Sequence, residues 1–210
     1  MLSGVISLTF WKTKMTELCE IAYEYKTDKC PKVRHSYTPI YHEMFKDKRN
    51  DVKKLLEVGV GSLVTMNHVK KQTGYDYTVG ASLLMWRDYF PNAQVYGSDI
   101  DPDAMVKGEE RVTTFLSDET KEKDIKSLVK QIGSDIDIVV DDGEHVHTAQ
   151  LFLAKTILPL LKKDVVYIIE DVYSLTRVMR PLREAGYECE APELSIKNQM
   201  REHIIIVKNK

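Results

Sequence analysis

The stretch KLLEVGV, residues 54–60, decides the fold class of this chain. It is a short apolar run that ends in glycine, a pattern typical of a strand buried on both faces of a parallel sheet. Similar runs, most of them separated by segments of helical spacing, recur at residues 93–100, 112–118, 136–142 and 164–171. This alternation predicts an α/β fold with a mostly parallel sheet and helices on both faces.

The two ends of the chain extend this pattern. Residues 186–194 and 202–209 are predicted to be two further strands, close enough to pair antiparallel. Residues 1–50 are largely helical in character, and we expect them to form a cap or lid segment on a catalytic domain of residues 51–210. The length of 210 residues suits one compact domain overall. Residues 62–79 are an insertion without a clear period.

The composition argues against several classes of partner and location. The formal net charge is -2, so no basic field attracts nucleic acid or an anionic membrane surface. No apolar run approaches the roughly 20 residues of a membrane span, and the N-terminus does not have the pattern of a signal peptide. Cys19, Cys30 and Cys189 are scattered, which favours free thiols in a reducing compartment. We therefore expect a cytoplasmic protein without membrane insertion.

Acidic residues or glycines stand at the end of each predicted parallel strand. They are Glu57, Gly59 and Gly61 after the first strand, Asp99 after the second, Ser117 and Asp118 after the third, Asp141 and Asp142 after the fourth, and Glu170 and Asp171 after the fifth. In open parallel sheets, ligands bind outside the carboxyl ends of the strands. We therefore expect these residues to converge on one rim of the sheet.

The glycine loop and Asp99 predict a nucleoside-containing cofactor. Gly59 and Gly61 allow a sharp turn and a close approach to a ligand, although a plain strand-to-loop turn would use glycine in the same way. Val64 stands where a dinucleotide fingerprint has its third glycine, which disfavours NAD. Asp99 is placed to accept hydrogen bonds from ribose hydroxyls. Asp99 could instead be the N-cap of a helix. Asp101 fits that role better, because Pro102 would then occupy the first helical position.

The segment VVDDGEHVH, residues 139–147, predicts a metal site with an adjacent base. Asp142, Glu170 and Asp171 would form an all-oxygen cluster, which hard divalent cations prefer, although one such pair alone could be a solvated acidic rim. His145 follows Asp142 by three residues and could act as a general base near neutral pH. His147 is expected to begin the next helix.

Several of these motifs together resemble class I S-adenosylmethionine-dependent methyltransferases, specifically the metal-dependent sugar O-methyltransferases of the mycinamicin and tetracenomycin type. The resemblance runs from about residue 24 to the end. It rests on KTDK (26–29), HSYTPIY (35–41), LLEVGVG (55–61), GASLLMWRDYFPNAQVYGSDID (80–101), DDGEH (141–145) and IIEDV (168–172). The compact form also resembles the methyltransferase domain of an algal-virus polypeptide that builds capsid glycans and acts on terminal rhamnose, which would place it in the host cytoplasm.

The resemblance implies a Rossmann-like sheet of seven strands with the last antiparallel. S-adenosylmethionine would be held by Glu57, Gly59, Gly61, Ser82, Asp99, Ser117 and Asp118, with Asp141 against the cofactor or supporting the site. Mg²⁺ or Mn²⁺ would be held by Asp142, Glu170 and Asp171, and His145 would be the base. The acceptor would be a hydroxyl of a sugar or glycan, such as a deoxysugar of the rhamnose type. Glu144 stands where the family usually has serine, and the family's long N-terminal domain is not matched, so no oligomeric state is implied.

Three alternatives stay open from the sequence. The same residues would serve a methyltransferase for a catechol or another small-molecule diol. A binding module without activity would keep the fold, and an NAD oxidoreductase is disfavoured by Val64. We also expect tyrosines of the N-terminal segment and of the insertion to form a lid that stacks on sugar faces, or else to pack on the domain edge: Tyr37, Tyr41, Tyr75 and Tyr77.

Overall fold

The computed structural model describes residues 15–194 and 203–209, and its centre is one seven-stranded sheet. The strands are β1 (Lys54–Val58), β2 (Gln94–Asp99), β3 (Val112–Leu116), β4 (Ile138–Asp141), β5 (Val166–Ile169), β6 (Glu188–Glu190) and β7 (Ile205–Lys208), in the order β3-β2-β1-β4-β5-β7-β6. The first five strands are parallel, and β7 runs antiparallel to β5 and β6. The predicted α/β architecture is confirmed, including the antiparallel pairing of the two C-terminal strands.

Helices cover both faces of this sheet. They are α1 (Glu17–Glu24), α2 (Thr38–Phe45), α3 (Asn67–Thr73), α4 (Ala81–Tyr89), α5 (Glu122–Ile132), α6 (His147–Ile157) and α7 (Leu175–Glu184), with short 3-10 turns at Pro102–Ala104 and Leu158–Leu160. Asp101 caps the first of these turns through a 2.9 Å hydrogen bond to the N–H of Asp103, so its predicted capping role is confirmed. None of the described helices has the length and the apolar character needed to cross a membrane.

Two apolar cores lie on opposite faces of the sheet because successive strand residues point in opposite directions. In β4, Val139 packs with α5, α6 and α7, whereas Ile138 and Val140 pack on the other face, which α1, α2 and α4 cover. Both faces of β4 are therefore buried, which explains why this strand is a continuous apolar run in the sequence.

The described part of the N-terminal segment is built into one of these cores. Phe45 of α2 lies edge-on to Phe90, with ring centroids 5.6 Å apart, and Tyr41 packs against Trp86 of α4 at 5.4 Å. Tyr37 and Tyr41 are both buried. The prediction that these two tyrosines stack on a substrate from a lid is therefore wrong, since their rings and hydroxyls are engaged inside the protein. The boundary at residue 50 stays a prediction.

The insertion between β1 and α4 contains α3 and packs against both the glycine loop and the N-terminal segment. Tyr77 donates a 2.6 Å hydrogen bond to the carbonyl oxygen of Val60 in the glycine loop. Tyr75 lies edge-on to Tyr23, with ring centroids 6.2 Å apart. These two tyrosines thus pack at the edge of the domain, and a stacking role for them stays a prediction.

Candidate active site

The glycine loop after β1 is held by Asp99 at the end of β2. Oδ2 of Asp99 accepts hydrogen bonds from the backbone N–H groups of Val60 and Gly61, each at 2.9 Å, and Oδ1 accepts one from Asp101 at 2.8 Å. Gly61 has φ 79°, in the left-handed region that favours glycine. Asp99 therefore shapes the loop, and its contact with a ribose stays a prediction that would use the remaining lone pairs of its carboxylate.

Glu57 and Ser82 lie together beneath this loop. Ser82 Oγ donates to Glu57 Oε1 at 2.5 Å, and the indole nitrogen of Trp86 donates to Oε2 at 2.6 Å. Burial is the main cause that raises the pKa of Glu57 above its ordinary value. The structure thus directs both carboxylate oxygens of Glu57 to α4 in the interior. Direct contact of Glu57 and Ser82 with a cofactor stays a prediction.

Ser117 and Asp118 lie at the same rim, just after β3. The N–H of Ser117 donates to the carbonyl oxygen of Asp99 at 2.9 Å. Asp118 accepts hydrogen bonds from the hydroxyl and the N–H of Thr120, at 2.6 and 2.9 Å, and Lys121 Nζ lies 2.9 Å away. The contacts with Thr120 and then Lys121 lower the pKa of Asp118 to about 2. Their predicted cofactor roles are therefore compatible with their place, and they stay predictions.

The two aspartates of the DDGEH segment have different surroundings. Asp141 is buried and accepts a 2.9 Å hydrogen bond from the Tyr167 hydroxyl. Burial, followed by the charge of Glu119, raises the pKa of Asp141 to about 8. Because its carboxylate contacts Tyr167 of β5, the structure favours the supporting role for Asp141 over a position against the cofactor.

Asp142 and Asp171 lie on either side of the imidazole of His145. His145 Nε2 is 3.2 Å from Asp142 Oδ1, and Nδ1 is 3.5 Å from Asp171 Oδ2. Burial alone would lower the pKa of His145, but the hydrogen bond and charge of Asp142, followed by the charge of Asp171, raise it to about 9. The side chain is 33% exposed, so a ligand can reach the imidazole. His147 begins α6, as predicted.

The backbone at Asp171 is strained. Its φ is 49°, in the left-handed region that residues other than glycine rarely adopt. Tyr37 donates a short hydrogen bond to Asp171 Oδ1, so the side chain is fixed from the N-terminal segment. Strain of this kind persists where surrounding contacts enforce it, and such positions cluster at functional sites.

The carboxylate of Glu170 contacts two residues of the N-terminal segment. Tyr41 donates to its Oε1 at 2.5 Å, and Lys29 Nζ donates to its Oε2 at 2.5 Å. Lys29 Nζ also donates to Asp142 Oδ2 at 2.6 Å. Burial would lower the pKa of Lys29, but the carboxylates of Asp142, Glu170 and Glu57 raise it well above its ordinary value. Lys29 is thus a charged cation inside the acidic cluster.

Among the described residues, one set of side chains can share a divalent ion. Asp142, His145 and Asp171 each offer one ligand atom, and these atoms all lie within 4.8 Å of one another. Two carboxylates and an imidazole suit a divalent cation whose other positions are filled by water or ligand oxygens. Glu170 is not in this set, because Lys29 and Tyr41 contact its two oxygens, and the expected combination of Asp142, Glu170 and Asp171 stays a prediction. Metal binding itself stays a prediction.

Glu119 supports the DDGEH segment from the loop after β3. Its Oε1 accepts a 2.5 Å hydrogen bond from the N–H of Glu144. A Cβ added to Gly143 would lie 1.7 Å from Glu119 Oε2, so a larger residue would displace this carboxylate. The contact links the ends of β3 and β4 and fixes the segment that carries His145. The backbone, and not the side chain, of Glu144 makes this contact.

The sequence does not indicate that Lys29 is a site residue, and it suggests Tyr37 and Tyr41 as lid or edge residues but not as partners of Asp171 and Glu170. KTDK and HSYTPIY were recognised only as motifs, and neither carries a local signal that predicts contact with carboxylates on β4 and β5. Glu119 was missed for the same reason. The partners are far apart in the sequence: 113 positions separate Lys29 from Asp142, and 129 positions separate Tyr41 from Glu170.

The chain is similar in sequence to curated O-methyltransferases. It is 30% identical over 164 residues to the mycinamicin VI 2''-O-methyltransferase of Micromonospora griseorubida, covering 77% of this chain and 37% of that protein. It is 34% identical over 140 residues to the 8-demethyl-8-alpha-L-rhamnosyl tetracenomycin-C 2'-O-methyltransferase of Streptomyces olivaceus, covering 66% and 33%. The chain thus spans about a third of the length of these curated relatives. No protein-family model matches it.

The fold is similar to that of a solved methyltransferase. The MycE methyltransferase from the mycinamycin biosynthetic pathway, in complex with Mg and SAH, superimposes with a TM-score of 0.70 and 24% identity, covering 93% of this chain and 55% of that chain. The chain is thus similar in sequence to these O-methyltransferases over most of its own length, and it has the Rossmann-like fold of the solved methyltransferase.

Proposed function

We propose that the chain catalyses transfer of a methyl group from S-adenosylmethionine to a sugar hydroxyl, assisted by Mg²⁺ or Mn²⁺. The observation that carries the proposal is the grouping of Asp142, His145 and Asp171 at the strand ends, beside the glycine loop. This grouping is joined to the glycine loop by a backbone hydrogen bond. The N–H of Asp142 donates to the carbonyl oxygen of Val58 at 2.8 Å, and Val58 directly precedes Gly59 of the loop. The names of the sequence relatives support a sugar as the acceptor.

The rim beside the glycine loop fits a nucleoside cofactor. Ile100 and Leu116 are 66% and 63% exposed, and they are neighbours because Leu116 pairs with Asp99 in the parallel register. Exposed apolar side chains next to a carboxylate suit an adenine ring with an attached ribose. We propose that the glycine loop, Asp99, Ile100 and Leu116 hold the adenosine part of S-adenosylmethionine.

The carboxylates of Asp142 and Asp171 would hold the divalent ion, and the imidazole of His145 lies between them as a neighbour of that ion. A bound Mg²⁺ or Mn²⁺ would supply Lewis acidity and a fixed orientation for the acceptor. The protein's own residues hold the ligand carboxylates: Tyr37 fixes Asp171, and Lys29 fixes Asp142. This arrangement limits the motion of the site before substrate arrives, which favours a fixed attack geometry.

His145 in its neutral form is the proposed base, and a divalent ion on Asp142 and Asp171 would offset the two charges that raise the pKa of its imidazole. The acceptor oxygen forms a bond to the methyl carbon, the bond from that carbon to sulfur breaks, S-adenosylhomocysteine leaves, and the hydroxyl proton passes to an imidazole nitrogen. Asp142 and Asp171 hold the ring from both sides, at 3.2 and 3.5 Å. A nitrogen that becomes a metal ligand cannot take this proton, so the proposal requires the imidazole to stay outside the innermost ligand set during turnover.

We further propose an acceptor of the rhamnose type, on a glycan or glycoside, and a cytoplasmic location. The second relative, by its name, acts on a rhamnosyl group. Three free, buried cysteines are compatible with a reducing compartment. The proposal does not include a nucleic-acid partner, because the net charge is -2.

The test is methyl transfer from labelled S-adenosylmethionine to an α-L-rhamnoside, with a catechol as the second acceptor. We expect Mg²⁺- or Mn²⁺-dependent methylation of the rhamnoside, loss of turnover in excess chelator, and calorimetric binding of S-adenosylhomocysteine that the chelator leaves largely intact. Methylation of the catechol alone would replace the sugar by a small-molecule diol. Failure to bind S-adenosylhomocysteine would contradict the methyltransferase proposal as a whole.

A further inference from the structure

Lys29 places a fully buried cation among the carboxylates of the candidate active site. Its side chain is 1% exposed, and Nζ lies 2.6 Å from Asp142 Oδ2, 2.5 Å from Glu170 Oε2 and 3.8 Å from Glu57 Oε1. Lysine is almost never fully buried unless it is paired, because desolvation of an ammonium group is costly. The three acidic partners are therefore the reason why this side chain can point inward.

The backbone around Lys29 holds it in this position. The N–H of Thr38 donates to the carbonyl oxygen of Lys29 at 3.3 Å, and the N–H of His35 donates to that of Asp28 at 2.7 Å. The segment between α1 and α2 is thus closed on itself on both sides of Lys29. These bonds fix the backbone of Lys29, and the three carboxylates hold its ammonium group at one position.

Lys29 contacts two of the three carboxylates that are predicted to hold the ion, Asp142 and Glu170. Asp142 uses Oδ2 for Lys29 and Oδ1 for His145. Both oxygens of Glu170 are taken, by Lys29 and Tyr41. An ion bound on Asp142 and Asp171 would therefore share Asp142 with the ammonium group of Lys29, and the two cations would repel each other across that carboxylate.

We propose that Lys29 is a positioning residue that acts as a built-in competitor of the divalent ion: it holds Asp142 and Glu170 in fixed orientations and weakens ion binding at their side of the site. The inference rests on the proposed function, since it concerns the same ion. It assigns to the N-terminal segment a role in setting metal affinity. Without Lys29, the site would bind the ion more tightly, with carboxylates that are no longer held in place for methyl transfer.

The test measures Mn²⁺ binding by electron paramagnetic resonance, independently of activity. Lys29→Met removes the charge and should bind Mn²⁺ at least tenfold more tightly than the unmodified chain, while kcat falls at least tenfold. Lys29→Arg keeps the charge and should remain within about threefold in Mn²⁺ affinity. Lys54→Met is the matched control, because Lys54 pairs with Asp135, at 2.6 Å and outside the metal set, and should leave Mn²⁺ affinity unchanged.

A second variant covers the case in which Lys29→Met does not fold. Lys29→Gln removes the charge but keeps a side-chain donor for Asp142 and Glu170, and it should fold and bind Mn²⁺ at least tenfold more tightly than the unmodified chain. Equal or weaker Mn²⁺ binding in whichever of these two neutral variants folds would overturn the inference. If the unmodified chain methylates its acceptor but Mn²⁺ affinity does not respond to Lys29, only this inference fails. If the unmodified chain binds no Mn²⁺, the metal-assisted function fails as well.

Discussion

Gly59 and Asp142 touch so closely that no side chain fits between them. A Cβ on Gly59 would lie 2.1 Å from the carbonyl oxygen of Asp142, and the φ of Gly59 is 90°. The loop proposed to hold the cofactor and the loop that carries the candidate base are therefore in direct backbone contact. Any shift of one loop moves the other.

Gly59→Ala should destabilise the protein strongly and displace Asp142. Left-handed backbone strain and the clash with a backbone oxygen together should lower the free energy of unfolding by about 2–4 kcal/mol. Gly74→Ala is the matched control, because Gly74 has φ 75° but nothing within 4 Å of an added Cβ. That change should cost only about 1 kcal/mol. Urea unfolding of both variants checks the difference, and equal losses would show that the contact with Asp142 is not important.

Asp99→Ala should weaken the binding of S-adenosylhomocysteine at least tenfold. The variant loses three hydrogen bonds from backbone N–H groups to a carboxylate, and such bonds contribute about 1.5–3 kcal/mol each at most. The glycine loop would then lose its shape as well as a ribose acceptor. Asp101→Ala removes the cap on Asp103 and a hydrogen bond with Ser62, but none of the bonds to the N–H groups of Val60 and Gly61, and it should weaken the affinity much less. Calorimetry decides, and unaltered affinity in a folded Asp99→Ala variant would remove Asp99 from the site.

His145→Ala should lower kcat by about 10²–10⁴-fold, the usual contribution of a general base. Its affinity for S-adenosylhomocysteine should change little. His147→Ala is the control on the same segment, since His147 begins α6 and has no contact with Asp142 or Asp171 among the hydrogen bonds and ion pairs of the described residues. Rate measurements at saturating cofactor test this prediction. Equal, small losses in the two variants would contradict the role of His145 as the base.

Asp137 should make the stability of the fold depend on pH in the acid range. Its Oδ2 accepts from the N–H groups of Lys53 and Lys54, at 2.6 and 2.9 Å, and its Oδ1 accepts from Lys162 Nζ at 2.5 Å. Burial works to raise the pKa of Asp137, but Lys162 and the two N–H groups lower it below its ordinary value. The folded-state pKa is depressed, so this stabilisation is fully present above the unfolded pKa of about 3.9 and is lost as pH falls through the folded value.

Asp137→Asn should therefore lower the free energy of unfolding by about 1–3 kcal/mol at pH 7 and flatten the acid limb of the stability curve. Asp164→Asn serves as the control, because Asp164 is 81% exposed and lies 3.8 Å from Lys162 Nζ. Urea unfolding between pH 3 and pH 7 measures both variants. An acid limb that keeps its slope in Asp137→Asn would show that another carboxylate is responsible.

The strands were predictable because a strand that is buried on both faces is a continuous run of apolar residues in the sequence. Every predicted parallel strand is present, and its observed bounds lie within the predicted run, as for β4 inside residues 136–142. The helices α2 and α3 were harder to predict, because each is short and α2 mixes buried aromatic with polar residues. The Thr38-Pro39 pair was the one start signal for α2, since proline is favoured in the first helical turn.

Some residues of the candidate site were likewise predictable from the sequence, and others were not. Asp142, His145 and Asp171 were predictable, because each follows the end of a recognisable strand and the ends of parallel strands meet at one rim. The contacts that hold the carboxylate of Glu170 were not predictable. They depend on Tyr41 and Lys29, which reach β5 from the N-terminal segment.

The sequence by itself determined the α/β class, the order of the strands along the chain, and the acidic rim with its glycine loop. These features follow from local periodicity and from the residues at the strand ends. Only the tertiary structure decided which carboxylates face one another and which are neutralised: Asp99 turned into the glycine loop, Asp142 shared between His145 and Lys29, and Glu170 held by Lys29 and Tyr41. The physical reason is that hydrophobic burial is encoded residue by residue. The pairing of buried charges instead depends on how segments distant in sequence pack against one another.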